Sequence, residues 1–260
     1  MREPTARDMV YQYDGSMEGF YCCVFEAIYQ GELPAAIEAE AETQPRLFAP
    51  VWIETDREKA LRVRRSIGER IAPRALELTE CVFYSCLEGR ELRMLCLLER
   101  CWREGAKRLW QGWSDPDLAV LLQAERHLLR EAHLLKGFVR FSDYNGHLAA
   151  AITPKNFVLP FLAPHFAARY RSESYLIFDK THRAALIYEC GQSRMVEAAH
   201  IEFPEVSAQE ARYRALWQRF YDTVAIEGRE NPRCRMTMMP KRYWENMTEM
   251  RPELQKRLRG

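Results

Sequence analysis

The sequence predicts an α+β fold, a mainly helical single domain with a small antiparallel sheet of two hairpins near residues 137–190. Apolar residues recur at helical spacing through most of the chain before residue 137. The pattern then changes to short strand-like runs separated by turn residues, and helical spacing returns after residue 190. We therefore divide the domain, 1–260, into a helical region (1–136), a sheet-containing region (137–190) and a helical, basic region (191–260).

Start and stop signals locate the helices. Ser16 can cap a first helix that Gly31 closes, and Pro73 fits the first turn of a later one. The clearest helix begins near Pro116 and ends at Gly137. Other helices are predicted at 56–71, 90–104 and 208–228 and from Pro164, Pro240 and Pro252, with a short strand at 51–55 and a loop at 32–50.

Two hairpins form the predicted sheet. The first joins 137–141 to 147–152 around Asn145-Gly146, a dipeptide typical of tight hairpin turns. The second joins 174–179 to 184–190. Both hairpins lie between helical segments, which predicts a sheet packed against helices.

Composition indicates a globular protein of the cytoplasm. Hydrophobic residues make up 47% of the chain and charged residues 29%, and no apolar stretch is long enough to cross a membrane. The N-terminal residues are charged and lack the apolar core of a secretory signal. The eight cysteines are spread among helical patterns, which favours a reducing compartment.

Charge is unevenly distributed along the chain, although the net charge is only +1. Residues 1–54 carry three Lys and Arg against ten Asp and Glu, so 3 − 10 = −7. Residues 229–260 carry nine against four, so 9 − 4 = +5. The two ends can attract each other, or the basic end can face a polyanion.

The segment 231–247 combines cations, two aromatic residues and four methionines. Guanidinium groups suit phosphates, and Tyr243 and Trp244 can stack on bases; the alternative is that Trp244 and the methionines belong to the core. Further cations lie where a helix meets a strand and on the helix after residue 164. The candidate nucleic-acid-binding residues are Lys136, Arg140, Arg169, Arg229, Arg233, Arg235, Lys241, Arg242, Tyr243 and Trp244.

Whether the protein is an enzyme stays open on sequence grounds. His133, His165 and Asp179 are the catalytic candidates, because titratable groups on separate elements can converge on one substrate. The alternatives are that the histidines are surface residues and that Asp179 caps a turn. No glycine-rich phosphate loop and no nucleophile signature is present.

The cysteines at 81, 86, 96 and 101 form two C-x4-C pairs. Two residues five apart on a helix point about 140° away from each other, which disfavours shared metal binding. We expect buried thiols, no metal site and no cofactor.

Five segments of the chain carry a resemblance to a known family. They are "YDGSMEGFYCCVFEAI" (13–28), "EAHLLKGFVRF" (131–141), "LAPHFAARY" (162–170), "YLIFDKTHRAALIY" (175–188) and "NPRCRMTMMPKRYWENMTE" (231–249). In this order they resemble the bacterial "probable DNA metabolism protein" family. Members are typically encoded beside a radical-SAM protein of DNA repair, and a related domain is fused to a uracil-DNA glycosylase-like domain. The resemblance brings no catalytic residues, and this chain lacks the CxxxCxxC of radical-SAM enzymes.

Three functions are compatible with these observations. The first, which we favour, is an accessory protein that binds single-stranded or damaged DNA and acts with a radical-SAM or glycosylase-type partner. The second is an enzyme that acts on a nucleic-acid base or sugar. The third is a protein-interaction partner without nucleic-acid contact, with methionines in 236–239 as an adaptable surface.

Overall fold

A computed structural model of the chain describes residues 5–40, 49–107, 115–224 and 231–250. Its contacts divide the chain into two compact units, Met1–Leu128 and Leu129–Gly260, which we call the first and the second unit. The fold is α+β, as the sequence predicts. Among the described residues, no helix is both long enough and apolar enough to cross a membrane.

A three-stranded parallel sheet lies in the first unit. Strand β1 (Thr5–Tyr13) is central, with β2 (Glu32–Ala39) on one side and β3 (Ala49–Trp52) on the other. Helix α1 (Met17–Gln30) connects β1 to β2, and the hydroxyl of Ser16 accepts a hydrogen bond from its first turn. The prediction of this helix is confirmed, whereas the loop predicted at 32–50 is wrong where β2 forms.

Three further helices follow in the first unit. Helix α2 (Arg57–Ser66) continues directly into a π-helical turn (Ile67–Ile71), in which the Ala72 N–H donates to the Ile67 carbonyl. Helices α3 (Pro73–Phe83) and α4 (Arg90–Glu104) follow, and α3 starts at its proline as predicted. The core of this unit packs α1, α3 and α4 against the sheet.

Helix α5 (Pro116–Phe138) contains the boundary between the units, and the rest of the chain builds a five-stranded sheet. The strands lie in chain order, and helix α6 (Leu159–Arg169) makes the crossover between the two parallel neighbours β5 and β6. The other pairings are antiparallel. The strands are β4 (Ser142–Tyr144), β5 (His147–Ile152), β6 (Ser174–Asp179), β7 (Ala184–Glu189) and β8 (Gln192–Glu197).

The sheet keeps the two predicted hairpins but differs from the prediction in detail. The first hairpin turns at Asn145-Gly146, yet its first strand is β4, since 137–141 forms the end of α5 and the residues after it. The second hairpin gains β8 as a third strand. Pro164 lies inside α6 instead of opening it.

The chain after the sheet is helical. Helix α7 (Ala208–Val224) follows Ser207, whose hydroxyl accepts a hydrogen bond from the Glu210 N–H. Helix α8 (Pro232–Met238) and two 3-10 turns (Lys241–Asn246 and Thr248–Met250) come last among the described residues. Tyr243, Met247 and Met250 enter the core of the second unit beside β5, β6 and α6.

Candidate nucleic-acid interface

A cleft of about 530 Å³ opens in the second unit, and we call it the α5–α7 cleft. The last residues of α5, the segment that follows it, the end of α6 and one face of α7 form its walls. Four cations line it, together with five aromatic residues and one carboxylate. The cations are Lys136, Arg140, Arg169 and Arg214; the aromatic residues are Phe141, Phe166, Tyr170, Tyr213 and Trp217; the carboxylate is Glu210.

Arg140 is held in place by a buried carboxylate. Its Nε and Nη2 donate to Glu249, with Nη2 2.6 Å from Oε1, and its Nη1 donates to the Gly137 carbonyl. Burial by itself raises the pKa of Glu249, but the hydrogen bonds that it accepts from Arg140, a backbone N–H and Trp217, together with the positive charge of Arg140, hold that pKa below its ordinary value. The charge of Arg140 is therefore neutralised locally, and its role at the cleft is to position its neighbours.

Trp217 is one of those neighbours. The Arg140 guanidinium lies 5.6 Å from the centre of the indole ring, and the indole N–H donates to Glu249 over 3.1 Å. Trp217 is still 41% exposed, and its ring stacks against Phe220. Its plane is thus fixed while some of its surface faces solvent, which suits stacking on a planar ligand.

Lys136 and Arg169 are the cations of the cleft that remain unpaired. Arg214 donates to Glu210 and Ser142, so its charge is also neutralised. Neither Lys136 nor Arg169 makes an ion pair with any residue that the structure describes. Tyr213, which is 60% exposed, lines the same cleft. Two free positive charges beside exposed aromatic rings can bind a phosphate-bearing, planar ligand.

Arg242 and Tyr243 donate hydrogen bonds to a buried carboxylate. Glu131 on α5 accepts hydrogen bonds from the Arg242 guanidinium at 2.9 Å and from the Tyr243 hydroxyl at 2.7 Å. It also accepts from the backbone N–H groups of Lys155 and Asn156. Tyr243 is only 2% exposed and leaves no ring face for a base, and the charge of Arg242 is paired with Glu131.

These bonds keep Glu131 ionised. Burial by itself raises its pKa, but the donors from Asn156, Lys155 and Tyr243 outweigh burial and lower it. Burial, followed by the bond to Glu131, raises the pKa of the Tyr243 hydroxyl. The cluster joins α5, the segment after β5 and the 3-10 turn, and its role is to fix the second unit.

Two other cations of the C-terminal segment lie beside Trp244. The indole N–H donates to the Met239 carbonyl, and Arg235 and Lys241 lie 5.5 and 6.0 Å from the ring centre. Trp244 is half-buried, as the core alternative anticipates. Lys241 and Arg233 are exposed. Arg229 lies outside the described residues.

The three catalytic candidates are not joined by a hydrogen bond or an ion pair in the residues that the structure describes. His133 is exposed on α5. Asp179 is fully buried and caps the β6–β7 turn, where it accepts from the N–H groups of Thr181 and His182. Its second oxygen lies 2.7 Å from Nδ1 of His182. The turn interpretation accounts for these contacts of Asp179.

His165 lies near the unpaired cations of the cleft. Burial, followed by the positive charges of Lys136 and Arg169, lowers its pKa, so the ring is neutral at pH 7. A neutral imidazole can accept a proton, so His165 stays a candidate base, although it does not line the cleft itself.

The predicted thiols are partly buried. Burial raises the pKa of Cys81 and of Cys101 to about 12, so both stay protonated. Cys86 is exposed and Cys96 half-buried. No group of three His, Cys, Asp or Glu side chains in the described residues could hold a metal ion.

Sequence reasoning missed the contribution of α7. Tyr213, Trp217 and Phe220 recur at helical spacing, a pattern that usually marks a buried face. All three are exposed here, and Leu216 and Val224 extend the same exposed stripe. Arginines at 212, 214 and 219 are interleaved with this stripe. That mixture of charged and apolar residues is the sequence signal that could have indicated an exposed face of α7.

Comparison with known proteins gives a family and no function. No curated protein matches the chain, and no solved structure matches it. Residues 88–249 match the family described as a domain of unknown function, DUF4130, and this match spans more than half of the chain and contains the α5–α7 cleft. The chain is therefore a member of the DUF4130 family.

Proposed function

We propose that this protein is an accessory DNA-binding protein and that the α5–α7 cleft binds a single-stranded segment of DNA. The observation that carries the proposal is the pairing of two unneutralised cations, Lys136 and Arg169, with the exposed rings of Tyr213 and Trp217 in one cleft. Proteins that bind single strands combine cations along the backbone with aromatic platforms for the bases. A duplex keeps its bases paired and stacked, so these rings suit an unpaired strand.

In this proposal each residue has a separate role. Lys136 and Arg169 contact phosphates, and Tyr213 and Trp217 stack on bases. Arg140 and Glu249 hold the indole in its orientation. Exposed Arg233 and Lys241 on the C-terminal segment supply further phosphate contacts if the strand extends that far.

The biological context of the proposal comes from sequence resemblance. The segments similar to the "probable DNA metabolism protein" family imply DNA repair or modification beside a radical-SAM or glycosylase-type partner. Under this proposal the partner supplies the chemistry, and this chain supplies the binding to DNA.

The test is a fluorescence-anisotropy titration of single-stranded, duplex and uracil-containing DNA over a series of salt concentrations. A double variant, Lys136→Ala with Arg169→Ala, is compared with wild type and with Arg194→Ala, an exposed arginine of β8 outside the cleft. Each lost phosphate contact lowers the slope of log affinity against log salt by about 0.7 for a single strand, so we expect a loss of about 1.4.

The aromatic component of the proposal has its own variant. Tyr213→Ala is expected to weaken single-strand binding by about 1–3 kcal/mol without changing the salt slope, because stacking releases no counterions. Binding that is insensitive to salt, or equal losses in Arg194→Ala and the double variant, would show that the cleft is not the DNA site.

A second candidate function is an enzyme acting on a nucleic-acid base or sugar, and the neutral imidazole of His165 near the cleft favours it. In that case single-stranded DNA incubated with the protein yields a modified or abasic product. His165→Ala then abolishes formation of this product and leaves the affinity for DNA unchanged. Unchanged DNA recovered after incubation with binding intact argues for the accessory role.

A further inference from the structure

A second concave surface lies in the first unit, apart from the residues used so far. It is a groove of about 460 Å³ between α1 on one side and α2 with the π-helical turn on the other. Its apolar floor and end consist of Val24, Ile28, Val63, Phe25 and Trp102. We call it the α1–α2 groove. Most of its residues precede the segment that matches the family.

The groove is rimmed by positive charge. Arg62, Arg65 and Arg70 line it, all three are exposed, and none forms an ion pair with a described residue. Other cations of the same helix behave differently: Lys59 pairs with Glu26, and Arg64 pairs with Glu80. Three cations of α2 and the π-helical turn that make no ion pair with a described residue therefore lie at the groove.

The spacing of these charges indicates the form of the ligand. Arg62 and Arg70 are separated by about 12 Å along the helix axis, at a rise of ~1.5 Å per residue. A compact anion such as a single phosphate would need its cations to converge on one point. A row of cations beside an apolar trough instead matches a row of anions beside an apolar stripe, which is the pattern of an acidic amphipathic helix.

The walls support the same conclusion. Tyr29 is 80% exposed at the edge of the groove and stacks on Phe25, so a large apolar surface is already presented to solvent. The floor includes the aliphatic side chains of Val24, Ile28 and Val63, which suit leucine or phenylalanine anchors better than stacked bases. The lining carries Arg62, Arg65 and Arg70 against one carboxylate, Glu69, so its charge is positive on balance.

We propose that the α1–α2 groove is a docking site for an acidic amphipathic helix of a partner protein. The partner helix places apolar side chains on the floor and carboxylates opposite Arg62, Arg65 and Arg70. This goes beyond the DNA-binding proposal, since it uses other residues and another class of ligand, and either can fail without the other.

The test uses a labelled synthetic helical peptide about four turns long, with leucine and phenylalanine on one face and glutamate along its flanks. A matched peptide keeps the apolar face and replaces glutamate with lysine. Binding to the full chain is followed by anisotropy, and by Trp102 emission, taken as the difference between wild type and Trp102→Phe. The triple variant Arg62→Ala, Arg65→Ala, Arg70→Ala is compared with Arg57→Ala, an exposed arginine of α2 outside the groove.

Under this proposal we expect the acidic peptide to bind at least about tenfold more tightly than the basic one. We also expect the emission of Trp102 to change when the acidic peptide binds. The triple variant should lose this preference and Arg57→Ala should keep it. Three results would each overturn the proposal: no binding of the acidic peptide, equal binding of both peptides, or displacement of the peptide by inorganic phosphate or single-stranded DNA.

Discussion

At the scale of single residues, Glu131 shows how a buried charge can organise a fold. It lies on α5, yet its donors come from the segment after β5 and from the 3-10 turn that contains Arg242 and Tyr243. A buried carboxylate with a full set of donors stabilises only while it is ionised, and removal of any donor leaves a costly unpaired group.

The pKa of Glu131 has a consequence for pH. Because its pKa in the folded protein is below the ordinary value of 4.5, its stabilising effect is complete above that value and is lost as pH falls through the folded pKa. We expect Glu131→Gln to lower the free energy of unfolding at pH 7 by about 2–4 kcal/mol. We also expect the variant to lose less stability than wild type on acidification.

Urea unfolding at pH 7 and at pH values below 4.5 checks this expectation. Glu173→Gln, at an exposed position, is the control and should change stability by less than about 0.5 kcal/mol. An identical pH dependence of wild type and Glu131→Gln would mean that another carboxylate, such as Glu249, dominates the acid response.

Residue chemistry was visible in the sequence, but residue position was not. The cations and rings of 231–247 suggested an anion-binding segment, and the structure turns Arg242 and Tyr243 inward because Glu131 needs donors there. Lys136, Arg140 and Arg169 were singled out separately, and only the fold brings them to one cleft. Whether an arginine is paired with a carboxylate depends on contacts between residues about a hundred positions apart in the chain. A local sequence pattern carries no information about such contacts.

At the scale of elements, helices were predicted better than strands. Caps and apolar spacing are local, so α1, α4 and α5 could be located from their own residues. Strands β1 and β2 pair in parallel across an intervening helix, and their apolar residues do not alternate cleanly. Their partners are distant in sequence, and no turn signal joins them, so they were not recognised.

Helix α5 offers a test at this scale, since it contributes Leu121 to one core and Leu135 to the other. Leu129 lies at an exposed position between them. Leu129→Pro removes one helical hydrogen bond and introduces a clash, which costs about 3 kcal/mol or more. Leu129→Ala keeps the helix and should change stability by less than about 0.5 kcal/mol.

Thermal unfolding followed by circular dichroism distinguishes the two variants. A lower melting temperature in Leu129→Pro alone would indicate that the continuity of α5 matters. Equal melting temperatures would mean that the helix tolerates a break at the boundary and that each unit is stable without it.

At the scale of the whole molecule, the two units carry two different candidate surfaces. The α1–α2 groove lies within the first unit and the α5–α7 cleft within the second, and they share no residue. Each unit has its own hydrophobic core. Under the two proposals, the second unit binds DNA and the first unit binds a partner protein.

The expected result at this scale is independence of the two surfaces. The arginine triple variant of the groove should leave DNA affinity unchanged, and the Lys136→Ala, Arg169→Ala variant should leave peptide affinity unchanged. In the variant that combines both sets of substitutions, the loss of affinity for each ligand should equal the sum of the losses in the two separate variants. We expect agreement within about 0.5 kcal/mol, as for sites without shared partners. Titration of both ligands against all three variants measures this, and a groove variant that alters DNA affinity would reveal coupling.

The long-range partners of the buried Glu131 and Glu249 also affect how the second unit folds during synthesis. Glu131 needs Tyr243 and Arg140 needs Glu249, separations of 112 and 109 residues. During synthesis the second unit therefore cannot complete its core until residues near 249 have left the ribosome. A message cut short before residue 242 yields a chain in which Glu131 lacks the donors of Arg242 and Tyr243 and the core lacks Met247 and Met250, which makes that chain a target for chaperones and proteases.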